Sequence, residues 1–321
     1  MNQVTKKQHY VWRHYLAPWA SNHSTTGKIA CLRDNRIFTT SLFNVAHENY
    51  FYKAEELSEK EKRLILMIAN RKASNIQKEI NERWLELYCV PYDLATIVAP
   101  FLPQIKQHNA EGPEQALTNM AIEYIEKLHG QIEGMGIPFL EQLKQEDTSF
   151  WCDEDSRDKF TFYLCNQYFR TKLIRNRIVQ VLTQCLKENP FFSDIHPDNM
   201  WIPLSLIFAT NVGIYIAQNF SAVLLRTNED FFIVGDQPVV NTYSTFDMLP
   251  PTDIELFYPI TPELALLLTQ NSTYLDRGTA AIGKTEVSKY NMIEFRMSEE
   301  QVFARNTTQL EDFVEQQPAN F

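Results

Sequence analysis

Residues 222–240 decide the fold: Ala222-Val223-Leu224-Leu225-Arg226, the polar turn Thr227 to Asp230, Phe231-Phe232-Ile233-Val234, then Pro238-Val239-Val240. Short apolar runs divided by turn residues read as strands, and the first two runs read as a hairpin. Everything just before them reads as helix. Met200 to Gln218 is an apolar helix. Asp153 to Glu188 is one long helix with Phe160, Tyr163, Leu164, Phe169, Leu173 and Ile178 inward, ended by Pro190 and Pro197. Glu114 to Lys144 is helical, with a kink or break expected at Gly134, Gly136 and Pro138. Leu57 to Leu87 carries Leu64, Ile65, Ile68, Ile76 and Ile80 at helical spacing. Pro91, Pro100 and Pro103 break the chain after it, and Glu111-Gly112-Pro113 marks a loop.

Further out, Gly27 to Thr40 turns around Asp34-Asn35 and predicts a β-hairpin. Downstream of 240, Glu255 to Tyr258, Leu264 to Thr269 and Val302 to Ala304 predict strands, and Thr285 to Met297 a helix. Strands grouped apart from helices define an α+β fold. The expected architecture is an N-terminal β-hairpin, a large helical middle and a C-terminal antiparallel sheet with one late helix. One compact domain spans 1–310, helical over about 55–220 and sheet over about 221–305, with a loose polar tail at 311–321.

Composition narrows the function. The chain has 321 residues, 44% hydrophobic and 22% charged, as expected for one large globular unit. Nine glycines, with no G-x-G-x-x-G or P-loop stretch, disfavour a Rossmann or P-loop nucleotide site. A net charge of −10 disfavours non-specific binding to nucleic acid. A small nucleotide, a structured RNA or a partner protein remains as a candidate partner. Cys31, Cys89, Cys152, Cys165 and Cys185 are odd in number and scattered, with no C-x-x-C, which fits a reduced, cytoplasmic setting. Lys6 and Lys7 precede no apolar h-region, and the apolar stretch Trp201 to Val212 is too short for a membrane span, so no membrane partner is expected.

Lys6-Lys7-Gln8-His9-Tyr10-Val11-Trp12-Arg13-His14-Tyr15-Leu16 places a polar motif where most chains are tolerant. This opening resembles that of a broad, mostly bacterial family of unknown function, numbered 4238, whose pattern is His-Tyr-Val-Pro followed by Arg and Tyr-Leu. Further segments are similar in order: Gly27-Lys28-Ile29, Asn44 to Tyr52, Ile132-Glu133, Gln167 to Thr171 with Arg175, Phe232 to Val239, Pro259 to Pro262 and Asn291. The resemblance covers about residues 3–305 and implies a family without implying an activity. Trp12 stands where the family has proline, and Val234-Gly235 where it has a hydroxyl pair. These departures imply an altered turn at 12 and weakened hydroxyl chemistry before Asp236.

Several constellations can carry chemistry. His9 with Arg13 can face one anionic group, or His9 can simply bond the chain end to the core. Gln167 and Arg170 share a helix face, and Arg170 aligns with Arg177. That guanidinium is either a fork for phosphate or carboxylate, or half of a buried ion pair with Glu133 or Asp236. Asp236 ends a strand before Gln237-Pro238 and is either a base or metal ligand, or a turn cap. Glu126-x-x-His129 with Glu133 has ligand-like spacing, but only one copy is present, so it reads as a solvated polar face. His196-Pro197-Asp198 reads as capping chemistry. Tyr50-Phe51-Tyr52 reads as core before it reads as a base-stacking surface.

Together these point to a metal-assisted hydrolase of phosphodiesters or nucleotides, a nuclease-like effector in bacterial defence. His9, Glu133 and Asp236 would be its catalytic residues, and Arg13, Gln167, Arg170 and Asn291 its substrate contacts. A divalent metal is the candidate cofactor. The alternative is a non-enzymatic binding or sensor module whose polar motifs form a structural network. Convergence of His9, Glu133, Arg170 and Asp236 on an open pocket would favour the enzyme; burial and mutual pairing would favour the network.

Overall fold

A computed structural model describes residues 4–108, 112–187, 189–228, 231–245, 251–271 and 278–315, without the side chains of 106–108. The N-terminal part runs β1 (Lys7–His9), α1 (Arg13–Leu16), β2 (Lys28–Arg33), β3 (Arg36–Ser41) and β4 (His47–Asn49). The helical middle follows: α2 (Glu59–Ala69), α3 (Asn75–Val98), α4 (Leu102–His108), α5 (Pro113–Lys144), α6 (Glu154–Phe169), α7 (Lys172–Leu186) and α8 (Pro197–Asn219). The last part comprises β5 (Ser221–Arg226), β6 (Val234–Gly235), β7 (Val240–Asn241), β8 (Leu256–Thr261), β9 (Leu264–Thr269), β10 (Thr279–Ala281), α9 (Lys284–Met297), β11 (Val302–Ala304) and α10 (Thr307–Glu315). The chain is α+β, as its sequence predicts.

Asp34 and Asn35, with φ of 51° and 57°, turn β2 back onto β3. Two left-handed residues match the twist of a tight hairpin, and Asp and Asn tolerate that conformation. The hairpin does not stand alone. β2 pairs with β11, and β11 with β6, giving a four-stranded sheet of order β3-β2-β11-β6. A second sheet has the order β10-β5-β9-β8-β7. All its pairings are antiparallel except β10 on β5, which is parallel. That edge corrects the all-antiparallel expectation. A small pair, β1 with β4, anchors the chain start.

Several other expectations are corrected. β5 and β6 lie in different sheets, so 222–226 and 231–234 are not a hairpin; residues 229–230 of the expected turn lie outside the described residues. The helix expected over 153–188 divides at Arg170-Thr171, where Thr171 is extended (ψ 166°) and its hydroxyl bonds Gln237 Oε1. Glu188 lies outside the described residues. Pro91 sits inside α3 and Pro138 inside α5, which runs unbroken. Pro138 and Gly134 are exposed, so the carbonyl orphaned by the proline meets water. Residues 311–315 of the expected loose tail belong to α10, and Phe313 packs with Leu310, Ile233 and Val302; residues 316–321 lie outside the described residues.

Helices α5, α6 and α8 pack on the five-stranded sheet to form the main core, with Tyr163, Phe160, Leu206 and Leu266 fully buried. The segment 75–105 and the helix Pro197–Asn219 are each long and apolar enough to cross a membrane by length and composition. The apolar stretch of α8 thus extends beyond Trp201 to Val212, and 67% of an 18-residue apolar stretch within it is buried inside the protein, as in a core helix.

Candidate functional site

The N-terminal arm is sewn into the molecule by its own alternation. β1 sets Gln8 inward and leaves Lys7 exposed. Gln8 bonds Ile122 O and Tyr52 N at 2.9 and 2.7 Å. Tyr10 N donates to Ala46 O at 2.9 Å, and Ala46 holds a left-handed φ of 47°. Beyond the turn, Tyr15 donates its hydroxyl to Pro259 O at 2.7 Å and the Trp19 indole donates to Phe232 O at 2.9 Å. The arm therefore touches the helical layer, β8 of the larger sheet and the segment leading into β6.

Arg170, at the end of α6, locks this arm. Its Nη2 donates to Glu133 Oε1 and His9 O, both at 2.7 Å, and its Nε to Tyr10 O at 3.3 Å. The guanidinium lies 5.4 Å from the Tyr52 ring centre, and the Tyr52 hydroxyl returns to Arg170 O at 2.9 Å. Burial alone pulls the arginine pKa down, but Tyr52, Glu133 and Glu126 outweigh it and keep the cation. Burial pushes the Glu133 carboxyl up, and Arg170 pulls it back. Of the two readings of Arg170, the structure shows the buried ion pair with Glu133. Its expected alignment with Arg177 is lost, because the helix divides between them.

Next to this clamp lie groups that the sequence reads as a solvated face. His129 is 1% exposed, and its Nδ1 lies 3.1 Å from Asn166 Oδ1. That bond assigns the proton to Nδ1 and a lone pair to Nε2. His129 Nε2, Glu126 Oε2, Arg170 Nη1 and both amide atoms of Gln167 are buried without a hydrogen-bond partner among the described residues. Burial raises the Glu126 carboxyl to about 7 and holds the His129 imidazole well below its usual range. The solvated-face reading of Glu126, His129 and Glu133 is thus corrected. Their i, i+3, i+7 spacing is the available signal, since it places all three on one face of α5.

His9 is half-buried. Its ring stands 5.4 Å from that of His47, its β-sheet partner. Burial, then His47 and Arg13, lower its pKa to about 4, so it is neutral at pH 7. Arg13 itself lies 3.9 Å over the Phe43 ring.

Asp236 stands apart from this group. Its carboxylate accepts from Glu299 N, Glu300 N and Gln301 N at 2.7, 2.9 and 3.1 Å, capping the turn from α9 into β11. Burial pushes it up to about 7 against those three bonds. Asn291 is also spent on backbone: its Oδ1 accepts from Ile233 N and its Nδ2 donates to Phe231 O, at 3.0 and 2.9 Å. The structure therefore brings the His9 backbone carbonyl and the Glu133 carboxylate together on Arg170, with Gln167 one turn before it. Asp236 and Asn291 are held elsewhere. Among the described residues, no group of three or more His, Cys, Asp or Glu side chains is placed to hold a metal ion.

The two sequence departures have local answers. Trp12 has φ −76° and ψ 147°, a backbone conformation that proline can also adopt. Gly235 leaves room for Ser298: a Cβ at 235 would meet Ser298 Oγ at 2.2 Å. A hydroxyl thus stands beside residue 235, supplied by α9's C-cap. The amide of Gly235 donates to the buried Glu294 carboxylate at 2.8 Å.

Fold and clamp together define an α+β protein whose N-terminal arm is locked through a buried arginine. The chain belongs to the family described as protein of unknown function DUF4238, whose pattern matches residues 7–308. That match contains the arm, the clamp and the Asp236 turn. No curated protein and no solved structure matches the chain.

Proposed function

We propose that the chain is a binding module whose polar signature residues form a structural network, and whose ligand enters an apolar cleft between α6, α7, α8 and the β7–β8 end of the larger sheet. One observation carries this reading: the Asp236 carboxylate and the Nε and Nη2 of Arg170 are already committed. Asp236 is spent on three backbone amides, and Arg170 on Glu133 and two carbonyls. A hydrolytic centre needs a base and a cation turned toward substrate. The cleft has a volume of 500 Å³ and is lined by Phe169, Ile178, Leu182, Phe208 and Leu256 among others. Small-molecule sites span about 300–1,000 Å³ and are mostly apolar.

A second reading, hydrolysis of a phosphodiester or nucleotide by an effector of bacterial defence, has one observation in its favour. Glu126, raised to about 7, lies with His129 and Gln167 among unpartnered buried groups. A carboxyl near neutrality can exchange a proton at working pH. The deciding experiment is a hydrolysis panel of RNA, single- and double-stranded DNA and nucleotides, with and without added divalent metal. Wild type is run beside Glu126→Gln and Glu133→Gln, each checked for fold by circular dichroism. The binding reading expects no turnover by any of them. Turnover by wild type that disappears in folded Glu126→Gln overturns it.

A further inference from the structure

We infer that the apolar cleft takes a small amphipathic organic anion, an apolar body ending in a carboxylate or an equivalent acid, with Arg177 holding the acidic head. This inference rests on the binding-module reading and names its ligand class. The first half of α7 carries three cations. Lys172 pairs with Glu48 and Glu300 at 3.2 and 2.6 Å. Arg175 pairs with Glu48 and Asp198 at 3.2 and 3.5 Å. Arg177 lines the cleft, and no carboxylate among the described residues pairs with it. Its Nη2 finds only the Met297 thioether, at 4.0 Å, which is a weak acceptor.

The surroundings make that charge conspicuous. Ile174, Ile178 and Val181 flank Arg177 on the same wall, and Phe208 and Val212 of α8 line the cleft with them. Half-buried beside apolar surface, this guanidinium gains a charge-assisted partner when an anion meets it. The polar neighbour Asn241 is already used: its Oδ1 accepts from Tyr243 N and Glu255 N, and its Nδ2 donates to Asp253 O. Arg177 is therefore the one charged side chain among the described residues that line the cleft, and no carboxylate among the described residues pairs with it. It presents a planar fork suited to a carboxylate. A neutral apolar molecule would leave this charge unmet, and a cation would be repelled.

The test uses the full chain and the neutral dye Nile red, displaced by decanoate or by decan-1-ol below any micelle concentration. Wild type is compared with Arg177→Met and with Val181→Trp, which narrows the cleft from its exposed rim; circular dichroism confirms each fold. Decanoate is expected to displace the dye at about tenfold lower concentration than decan-1-ol, the gain from one charge-assisted fork. Arg177→Met should abolish that difference while still taking up dye, and Val181→Trp should weaken both ligands. Equal displacement by the two ligands, or a preference that survives in Arg177→Met, overturns the anion assignment and leaves the cleft as a binding site. Absence of dye and decanoate uptake by wild type overturns the binding-module reading as well.

Discussion

The Arg170 guanidinium meets the Glu133 carboxylate at 2.7 Å with the arginine 1% and the glutamate 18% exposed, so the cation is buried and its partner is largely shielded. The same side chain holds the backbone carbonyls of His9 and Tyr10. It joins α5, α6 and the chain start through one group. Removing one partner of such a pair strands a buried charge, which costs about 3–5 kcal/mol. Arg170→Met is expected to lose that much in urea unfolding. Arg170→Lys should recover little, because an ammonium cannot reproduce the fork that reaches three acceptors.

Gly136 is fixed by its neighbour across the α5–α6 contact. A Cβ at 136 would meet the buried Tyr163 ring at 2.3 Å. Gly136→Ala should therefore destabilise by about 1–3 kcal/mol, as overpacking does. Gly134, two residues earlier and exposed, has nothing within 4 Å of such a Cβ. Gly134→Ala should stabilise by about 0.5–1 kcal/mol through helix propensity. Thermal melts of the two variants should shift in opposite directions.

Asp236→Ala orphans the amides of Glu299, Glu300 and Gln301. The buried Gln301 amide left unmet costs about 1–3 kcal/mol, and the part-buried amides of Glu299 and Glu300 add less. The expected outcome is a less stable fold with faster hydrogen exchange at those three amides and at β11. Exchange at 299–301 that matches wild type would remove the capping role.

The pH dependence follows from His9. Its folded pKa of about 4 lies below the ordinary 6.5, so the unfolded chain binds a proton first as pH falls. Stability carried by the neutral ring is present above 6.5, drains between 6.5 and 4, and is gone below 4. His47 is lowered in the same direction, by burial first. Asp236 and Glu126 oppose it: their carboxyls, raised to about 7, keep protons in the folded state and favour folding as pH falls from 7 toward 4. His9→Gln isolates the histidine share. It should reduce the loss of stability between pH 6.5 and 4 by about 1–3 kcal/mol, since a tenfold change in proton affinity is worth about 1.4 kcal/mol. Urea unfolding at pH 7.0, 5.5 and 4.5 reads the difference; identical pH slopes in variant and wild type would exclude it.

Local rules explain what is legible in the sequence. Asp34-Asn35 specifies a tight hairpin turn by its backbone preferences, and 264–268 is an unbroken apolar run, so β2–β3 and β9 fall where expected. The partners of β5 and β6 are set by pairing across long chain separations, which no local window contains. The division at Arg170-Thr171 comes from Gln237 and the N-terminal arm, not from any helix-breaking residue. The Arg170–Glu133 pair is legible as one of the two readings of Arg170, because a guanidinium on a helix face turned to the core needs a carboxylate. Glu126 and His129 escape a sequence reading because spacing alone cannot tell a solvated face from a buried one. Asp236 reads as either chemistry or a turn cap and Asn291 as a substrate contact; the backbone partners that decide for capping are visible only in three dimensions.

A double-mutant cycle over Glu133→Gln, Arg170→Met and the combined variant, read by urea unfolding at pH 7, addresses the structural clamp most directly. A clamp requires each single change to cost about 3–5 kcal/mol and the double change to cost less than their sum by more than about 1.5 kcal/mol. Costs that add to within about 0.5 kcal/mol, with each single variant near wild-type stability, would show that Arg170 and Glu133 do not hold the fold together.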